Sequence, residues 1–407
     1  MSLTNISVTK ILAVLTLLAI VFDVLLHHRR VRPRRLVTPE TILAVALLIV
    51  LMVSTFLHPT QRSAAEVVRQ MVLLLFVLVV VYFVDRPQRL RQVAMTLVIA
   101  GTAIAMYSVV QRVTLPVSVS EAWVAQAGAV LDVGEANVGD MLRTTGTFSH
   151  PAWLGLFLSM CLPFTLGLSW KADKRRWRLV GGIAVCVQLL GILSTYSRMS
   201  YVGAGLAIAM FMCRRRFGVA LLMLAVTAGI SVFPALPKDF RARVYSIIEY
   251  RESSSSLSRI GQQIAGWHMF LDYPYLGIGP GNFEDKVVDY AKQVPVPLEV
   301  QPIGAHNMYM EIASELGLIG LALTLGLLVL TKRELSRLRC WARDSRNRRQ
   351  EMLWECAGIA LVVFVVSALF VHAQYRKEWW LLVGLAAAGR QFMTARRMDV
   401  LREESTS

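Results

Sequence analysis

The chain has 407 residues, of which 55% are hydrophobic and only 17% charged, where a soluble protein averages about 25% charged residues. With a mean hydropathy of +0.53, this composition excludes a disordered chain and a soluble enzyme of one or two domains. The net charge of +16 would suggest nucleic acid in a soluble protein; here the arginines sit in short clusters between apolar blocks, so the charge reads as membrane topology, with no nucleic-acid partner.

In chain order, the apolar blocks approach the length of about 20 residues that a bilayer-crossing helix needs. They predict eleven spans, with soft boundaries that allow twelve: 10–27, 40–57, 70–84, 93–110, 151–170, 179–193, 200–213, 217–234, 313–330, 353–372 and 378–393. The fold class is therefore an all-α polytopic membrane protein. Residues 11–26 could mimic a signal peptide. No A-x-A site follows, however, and the run from Arg29 to Arg35 is a basic stop, so an uncleaved helix is expected.

The basic residues set the orientation. Segments 28–38, 85–92, 171–178, 214–216, 331–351 and the C-terminal tail hold most of the 43 Lys and Arg. They alternate with loops of the other side, so they are expected in the cytoplasm. Two long segments, 111–150 and 235–312, then face away from it, and loops beyond about 12–15 residues are usually functional. The expected organisation is 1–234, N-terminal transmembrane helices with an outer segment near 111–150; 235–312, an outer helical loop; and 313–407, C-terminal helices with a cytoplasmic tail. The cysteines (161, 186, 213, 340 and 356) lie in or beside apolar blocks or in basic loops and form neither a disulfide framework nor a CxxC knuckle.

Within the long outer loop, Phe240, Val244, Ile247 and Ile248 recur with helical spacing, and so do Leu257, Ile260, Ile264, Trp267, His268 and Leu271. These predict two amphipathic helices joined by a linker at Ser253–Ser256, lying on the outer membrane surface or over a cavity. DYPYLGIGPGNF follows. It lacks the GK[ST] of a phosphate loop and reads as a tight turn leading into a helix at Phe283.

Arg198, in STYSRMSYVG, lies in a small turn close to membrane depth, where an arginine is costly unless it faces a wet cavity or an anion; the plainer reading is a snorkelling helix-end arginine. Arg259 opens the second amphipathic helix and could equally be a solvated first-turn residue. Arg143 stands in RTTGTFSHP before Pro151, which helix initiation explains, while His150 is left unexplained. Together these are three guanidinium groups on one side of the membrane, a set that suits phosphate oxygens because Arg offers paired donors and keeps its charge. His306 begins HNMYMEIASELGLIG, where the loop meets a span. It could be a neutral base or an interfacial histidine bonded to a backbone carbonyl. His306, Tyr309, Met310 and Ala313 are expected along one helical face. Of Glu311 and Glu315, one is expected to brace the helix and the other to stay in solvent. Metal motifs such as HExxH and Asp-x-Asp do not occur.

Arg143 with GTFSHP, the SR pairs at Ser197–Arg198 and Ser258–Arg259, W-x5-YPYLGIGPGNF and HNMYMEIASELGLIG together resemble the O-antigen ligase and polymerase superfamily, in order, spacing and topology. The resemblance covers about 140–395. Near Gly146 the family has Asn-Pro where this chain has His150–Pro151. The resemblance implies a GT-C-type membrane glycosyltransferase, multi-pass in the bacterial inner membrane, with its active site facing the periplasm. Its implied partners are an undecaprenyl-pyrophosphate-linked glycan donor, membrane lipids and, for a ligase, the lipid A–core acceptor. It implies no metal and no other cofactor. In such an enzyme His306 would be the general base and Arg198 and Arg259 the groups that stabilise the leaving pyrophosphate, with Arg143, Gln301, Asn307 and Tyr309 binding pyrophosphate or sugar. A polymerase or an O-linked protein oligosaccharyltransferase would share this plan. A flippase or exporter would instead place charges along a path through its spans, where Asp23 is the clear acid.

Overall fold

The computed structural model describes residues 36–114, 144–220, 254–292 and 304–406, with isolated positions between 223 and 241. The sequence spans at 10–27 and most of 217–234, the first amphipathic helix, Asp23, Arg143 and Gln301 lie outside the described residues. The chain divides into two compact units, 1–38 and 39–407; the second carries the elements that follow. Its helices are α1 (Pro39–Leu57), α2 (Gln61–Phe83), α3 (Pro87–Thr114), α4 (Pro151–Trp170), α5 (Arg175–Ser194), α6 (Arg198–Met212), α7 (Ser254–Asp272), α8 (Phe283–Ala291), α9 (Met308–Asp344), α10 (Arg348–Ser367) and α11 (Lys377–Thr406). Helices α1 to α5, α9 and α10 are long and apolar enough to cross a membrane, and α6 is a shorter apolar helix. The protein is an all-helical polytopic membrane protein.

Packing sorts these spans. In α4 and α10, 72% and 78% of the span is buried, against 22% in α3. On α1 the exposed side chains Ile42, Ile49 and Phe56, and on α3 Ile99, Met106 and Val113, recur every seven residues. Each set forms one stripe of the helix, the kind of surface a lipid chain can cover. The centre is close-packed through small residues: a Cβ on Gly167 would stand 2.6 Å from the Cys356 sulfur. Cys356 also donates its thiol to the carbonyl of Pro163, at 3.0 Å. Polar ties cross between spans. The Gln188 side chain accepts from Thr165 and donates to Thr102, joining α5, α4 and α3. Arg390 on α11 bridges the buried carboxylates of Glu40 and Glu334, at 2.9 and 2.7 Å. Removing one partner of such a pair leaves an uncompensated buried charge.

The helices between residues 254 and 291 differ in part from the sequence reading. Of the run expected as a linker, Ser254 to Ser256 belong to α7, which starts at Ser254. Helix α7 has two apolar faces: Ala265 and Met269 are fully buried, whereas Trp267 and Leu271 are about half exposed. The apolar pattern reports both faces. Ala265 and Met269 pack on Phe283 and Val287 of α8, while Trp267 and Leu271 form an apolar outer stripe, as a helix lying in a membrane interface presents. The helix expected at Phe283 starts there.

The glycine-rich loop has a structural purpose. Helix α9 is broken at Gly317, with φ 65° and ψ −164°, a region open essentially to glycine alone. The break turns the carbonyls of Ser314 and Glu315 away from their helical partners. The amides of Ile278 and Gly279 donate to them, at 2.9 and 3.1 Å, and Leu318 returns its amide to Pro274, at 2.7 Å. The backbones approach so closely that a Cβ on Gly277 would lie 2.2 Å from the Glu315 carbonyl carbon, and one on Gly317 would lie 2.3 Å from that of Tyr275. The GIGPGNF and ExGxxG motifs are thus two halves of one joint. Ser63 and Thr60 seat it against the α1–α2 turn through Pro280 and Asn282. Gly317→Ala should therefore cost about 1–3 kcal/mol in backbone strain alone, before the clash. Gly326→Ala, where a Cβ meets only Leu43 at 3.9 Å, should be tolerated. Equal melting temperatures of the two variants in detergent would contradict this account of the motif.

Candidate active site

The helix starts that carry the sequence candidates gather at one end of the bundle. At α4, Pro151 occupies the first turn and His150 is the N-cap, its Nδ1 accepting from the Ala152 amide at 3.1 Å. That gives the histidine a local structural role which the sequence left open. At α6, Ser197 precedes the helix and Arg198 opens it, half-buried, just after Tyr196 in the left-handed region with φ 47°. The two starts are held together. The hydroxyls of Ser108, Thr144 and Ser194 form a buried cluster with 2.8 Å contacts, and the Thr144 amide donates to Ser194. A Cβ on Gly155 would overlap Ser200, so α4 and α6 touch at these first turns.

His306 lies just before α9, not on its face as the spacing suggested. The helix begins at Met308 with Asn307 as N-cap, whose Oδ1 accepts from Tyr309 and Met310 at 3.0 and 3.3 Å. His306 itself adopts φ 49°, a left-handed conformation that costs a non-glycine residue about 1–3 kcal/mol and persists only where its surroundings impose it. Here they do: Ala305 and Met308 on either side are fully buried, the Met308 amide donates to Ala368 at 2.9 Å, and the Tyr309 hydroxyl donates to Val365 at 2.8 Å. Asn307 and Tyr309 are thus engaged in fixing the start of α9.

His306 is buried, with 9% of its surface exposed. Burial pushes its pKa well below the ordinary histidine value, and the positive charge of Arg259 and the neighbouring His372 and His150 push it further the same way. The ring is therefore neutral at physiological pH, able to accept a proton. Arg259, in the first turns of α7 and half-buried, is near enough for its charge to act on the imidazole.

Three residues of this site escaped the sequence reading. His372 lies between α10 and α11, its ring centroid 6.0 Å from that of His306 and 5.3 Å from that of Trp153, edge to face. Burial pushes its pKa down to about 4. Arg376 spans Phe148 and Trp153, at 5.2 and 5.1 Å, and pairs with Glu378 at 2.5 Å. A cation stacked on aromatic faces is held at a fixed position. Trp153, Arg376 and His372 sit at the edges of apolar blocks, where only the spatial arrangement distinguishes them. Glu311 and Glu315 also differ from expectation, since both are buried. Glu315 braces the glycine-rich joint by accepting from the Phe283 amide at 3.2 Å, and Glu311 accepts from Gln374 at 2.6 Å. Among the described residues, no group of three His, Cys, Asp or Glu side chains could hold a metal ion.

A polytopic helical bundle that collects arginines, a neutral buried histidine and aromatic rings at one end has the makings of an enzyme acting at a membrane surface. Residues 183–325, a stretch that holds Arg198, Arg259 and His306, match the family model described as O-antigen ligase. In structure the protein is similar to a chain from work described as "Structural coordination of polymerization and crosslinking by a peptidoglycan synthase complex", with 17% identity and a TM-score of 0.44, covering 86% of this chain and 96% of that one. Among curated proteins, none matches the chain.

Proposed function

We propose that the protein is a lipopolysaccharide O-antigen ligase of the inner membrane, with its active site on the periplasmic side. It would transfer a glycan from undecaprenyl pyrophosphate to a sugar hydroxyl of lipid A–core. The observation that carries this reading is His306, buried and neutral at the start of α9, with Arg259 close enough to act on it electrostatically. In this reading a base and a phosphate-binding cation share one site.

In this reading the acceptor oxygen attacks the anomeric carbon as the bond from that carbon to the pyrophosphate oxygen breaks. The bonding pair leaves with the pyrophosphate, and the hydroxyl proton passes to His306. Pyrophosphate needs no general acid, but its developing charge needs a partner. Arg259 and Arg198 are assigned to it, with Arg143 alongside. Asn307 and Tyr309 position His306 by building the helix start behind it, and Gln301 remains assigned to the sugar. His372, edge-on to Trp153 and beside His306, helps to keep the base unprotonated. A single displacement inverts the anomeric centre and forms no glycosyl-enzyme.

The test offers purified protein the lipid-linked glycan donor with lipid A–core, in detergent, without ATP and with EDTA. Product on lipid A–core is expected, at a rate unchanged by the chelator. Elongated glycan on the lipid carrier would identify a polymerase instead, and glycan on a protein hydroxyl an O-linked oligosaccharyltransferase. Activity that EDTA abolishes and Mg²⁺ restores would contradict a mechanism in which arginines alone stabilise the leaving group.

A further inference from the structure

Far from His306 along α9, the helix ends enclose a second polar space. About thirty residues of helix, roughly 45 Å at 1.5 Å per residue, separate the start of α9 from it. The cavity has a volume of about 130 Å³. A single water needs only about 10–15 Å³, so the space takes a group of several heavy atoms. Its wall includes Arg214 beyond the end of α6, Lys332, Arg339 and Arg343 of α9, and Trp354 and Glu355 of α10.

The charges do not balance. Glu355 is 3% exposed in its side chain and is approached by Arg215, Arg339 and Arg214 at 3.2, 3.5 and 3.9 Å. One carboxylate faces three guanidinium groups, and Lys332 and Arg343 add two more cations to the wall. The acid nearest Arg343 is exposed Asp344, at 3.8 Å, a pair that water screens. A second feature points the same way. Trp354 is 1% exposed, and its indole N–H has no hydrogen-bond partner. An indole only donates, so its unmet need is for an acceptor atom. Basic residues at helix ends set topology whatever they line. Topology alone, though, requires neither a cavity among them nor a buried donor left unpaired beside it.

We propose that this cavity binds a phosphate-bearing anion, with Arg339, Arg343 and Lys332 taking the phosphate oxygens. Guanidinium groups suit that task because they offer paired donors. The position, at the ends of membrane-spanning helices, suits a phosphodiester lipid headgroup; free phosphate is the other source of the same chemistry.

Cys340 lines this cavity and is exposed, so it serves as a reporter. Cys161 and Cys356 are buried. With Cys186→Ser and Cys213→Ser in place, labelling by an uncharged maleimide reads Cys340. A companion protein that keeps Cys213 and carries Cys340→Ser gives the reference for general surface effects. Both are labelled in phosphatidylcholine nanodiscs, in nanodiscs containing phosphatidylglycerol, and in phosphatidylcholine nanodiscs with inorganic phosphate. The expected result is several-fold slower labelling of Cys340, but not of Cys213, when the anion is present. Protection by phosphatidylglycerol alone assigns the site to a headgroup, and protection by inorganic phosphate assigns it to a soluble anion. Arg343→Gln, an exposed side chain whose loss leaves Glu355 paired, should remove the protection, and Lys332→Gln is the second variant. Equal Cys340 rates in all three conditions, or protection that survives both substitutions, would overturn the proposal.

Discussion

His306→Ala should abolish glycan transfer, with a loss of about 10²–10⁴ in rate, the usual worth of a positioned general base. Insertion, expression and donor binding should stay near normal, because the start of α9 is held by Asn307, Met308 and Tyr309 and not by the imidazole. The loss should therefore fall on the chemical step in single-turnover measurements, with binding unaffected. A variant that transfers glycan normally would remove the base from the mechanism.

The second large effect belongs to the arginines. If Arg259 and Arg198 stabilise the departing pyrophosphate, removing either should cost about 10²–10³ in rate, as for other electrostatic donors at a developing charge. The more telling substitutions are Arg259→Lys and Arg198→Lys. Lysine keeps the charge but loses the planar fork that meets two phosphate oxygens at once, so each variant should still lose much of its activity. Topology should not change, since the charge is preserved. Full activity in both Lys variants would return these residues to the plainer roles of snorkelling and orientation. Arg259→Lys has a further signature: with a positive charge still near His306, the imidazole should remain hard to protonate.

Much of this architecture was legible in the sequence, because hydropathy and charge act locally. The spans from α1 to α5 follow from runs of apolar residues, and the helix starts at Pro151 and Phe283 from proline and turn chemistry. The glycine-rich segment could be read as a turn, but its partner could not. Gly277 and Gly317 meet only because α9 breaks, and nothing near either residue encodes the other's position. The left-handed backbone of His306 was hidden for the same reason: the spacing of His306, Tyr309 and Met310 fits a helix, and only packing shows that the helix starts two residues later. On α7 the apolar pattern was legible, but the inward face of Ala265 and Met269 shows only in its packing on α8. His372 and Arg376 carried no local signal, because each stands singly at a span edge and acquires its neighbours, Trp153 and His306, from helices distant in sequence.

The pH dependence of single-turnover transfer reports directly on whether His306 accepts the acceptor's proton. Because burial and Arg259 hold the pKa of His306 well below the ordinary histidine value, the neutral, proton-accepting form persists as pH falls through the usual histidine range. Wild-type kcat/KM should therefore stay level from about pH 8 to 6 and fall only in more acidic solution, once the imidazole binds a proton. His306→Gln keeps a hydrogen-bonding side chain without a basic nitrogen, so it should be slow at every pH and should lack that acid limb. A Gln variant that matches wild type at neutral pH, or that keeps the same acid limb, would contradict the claim.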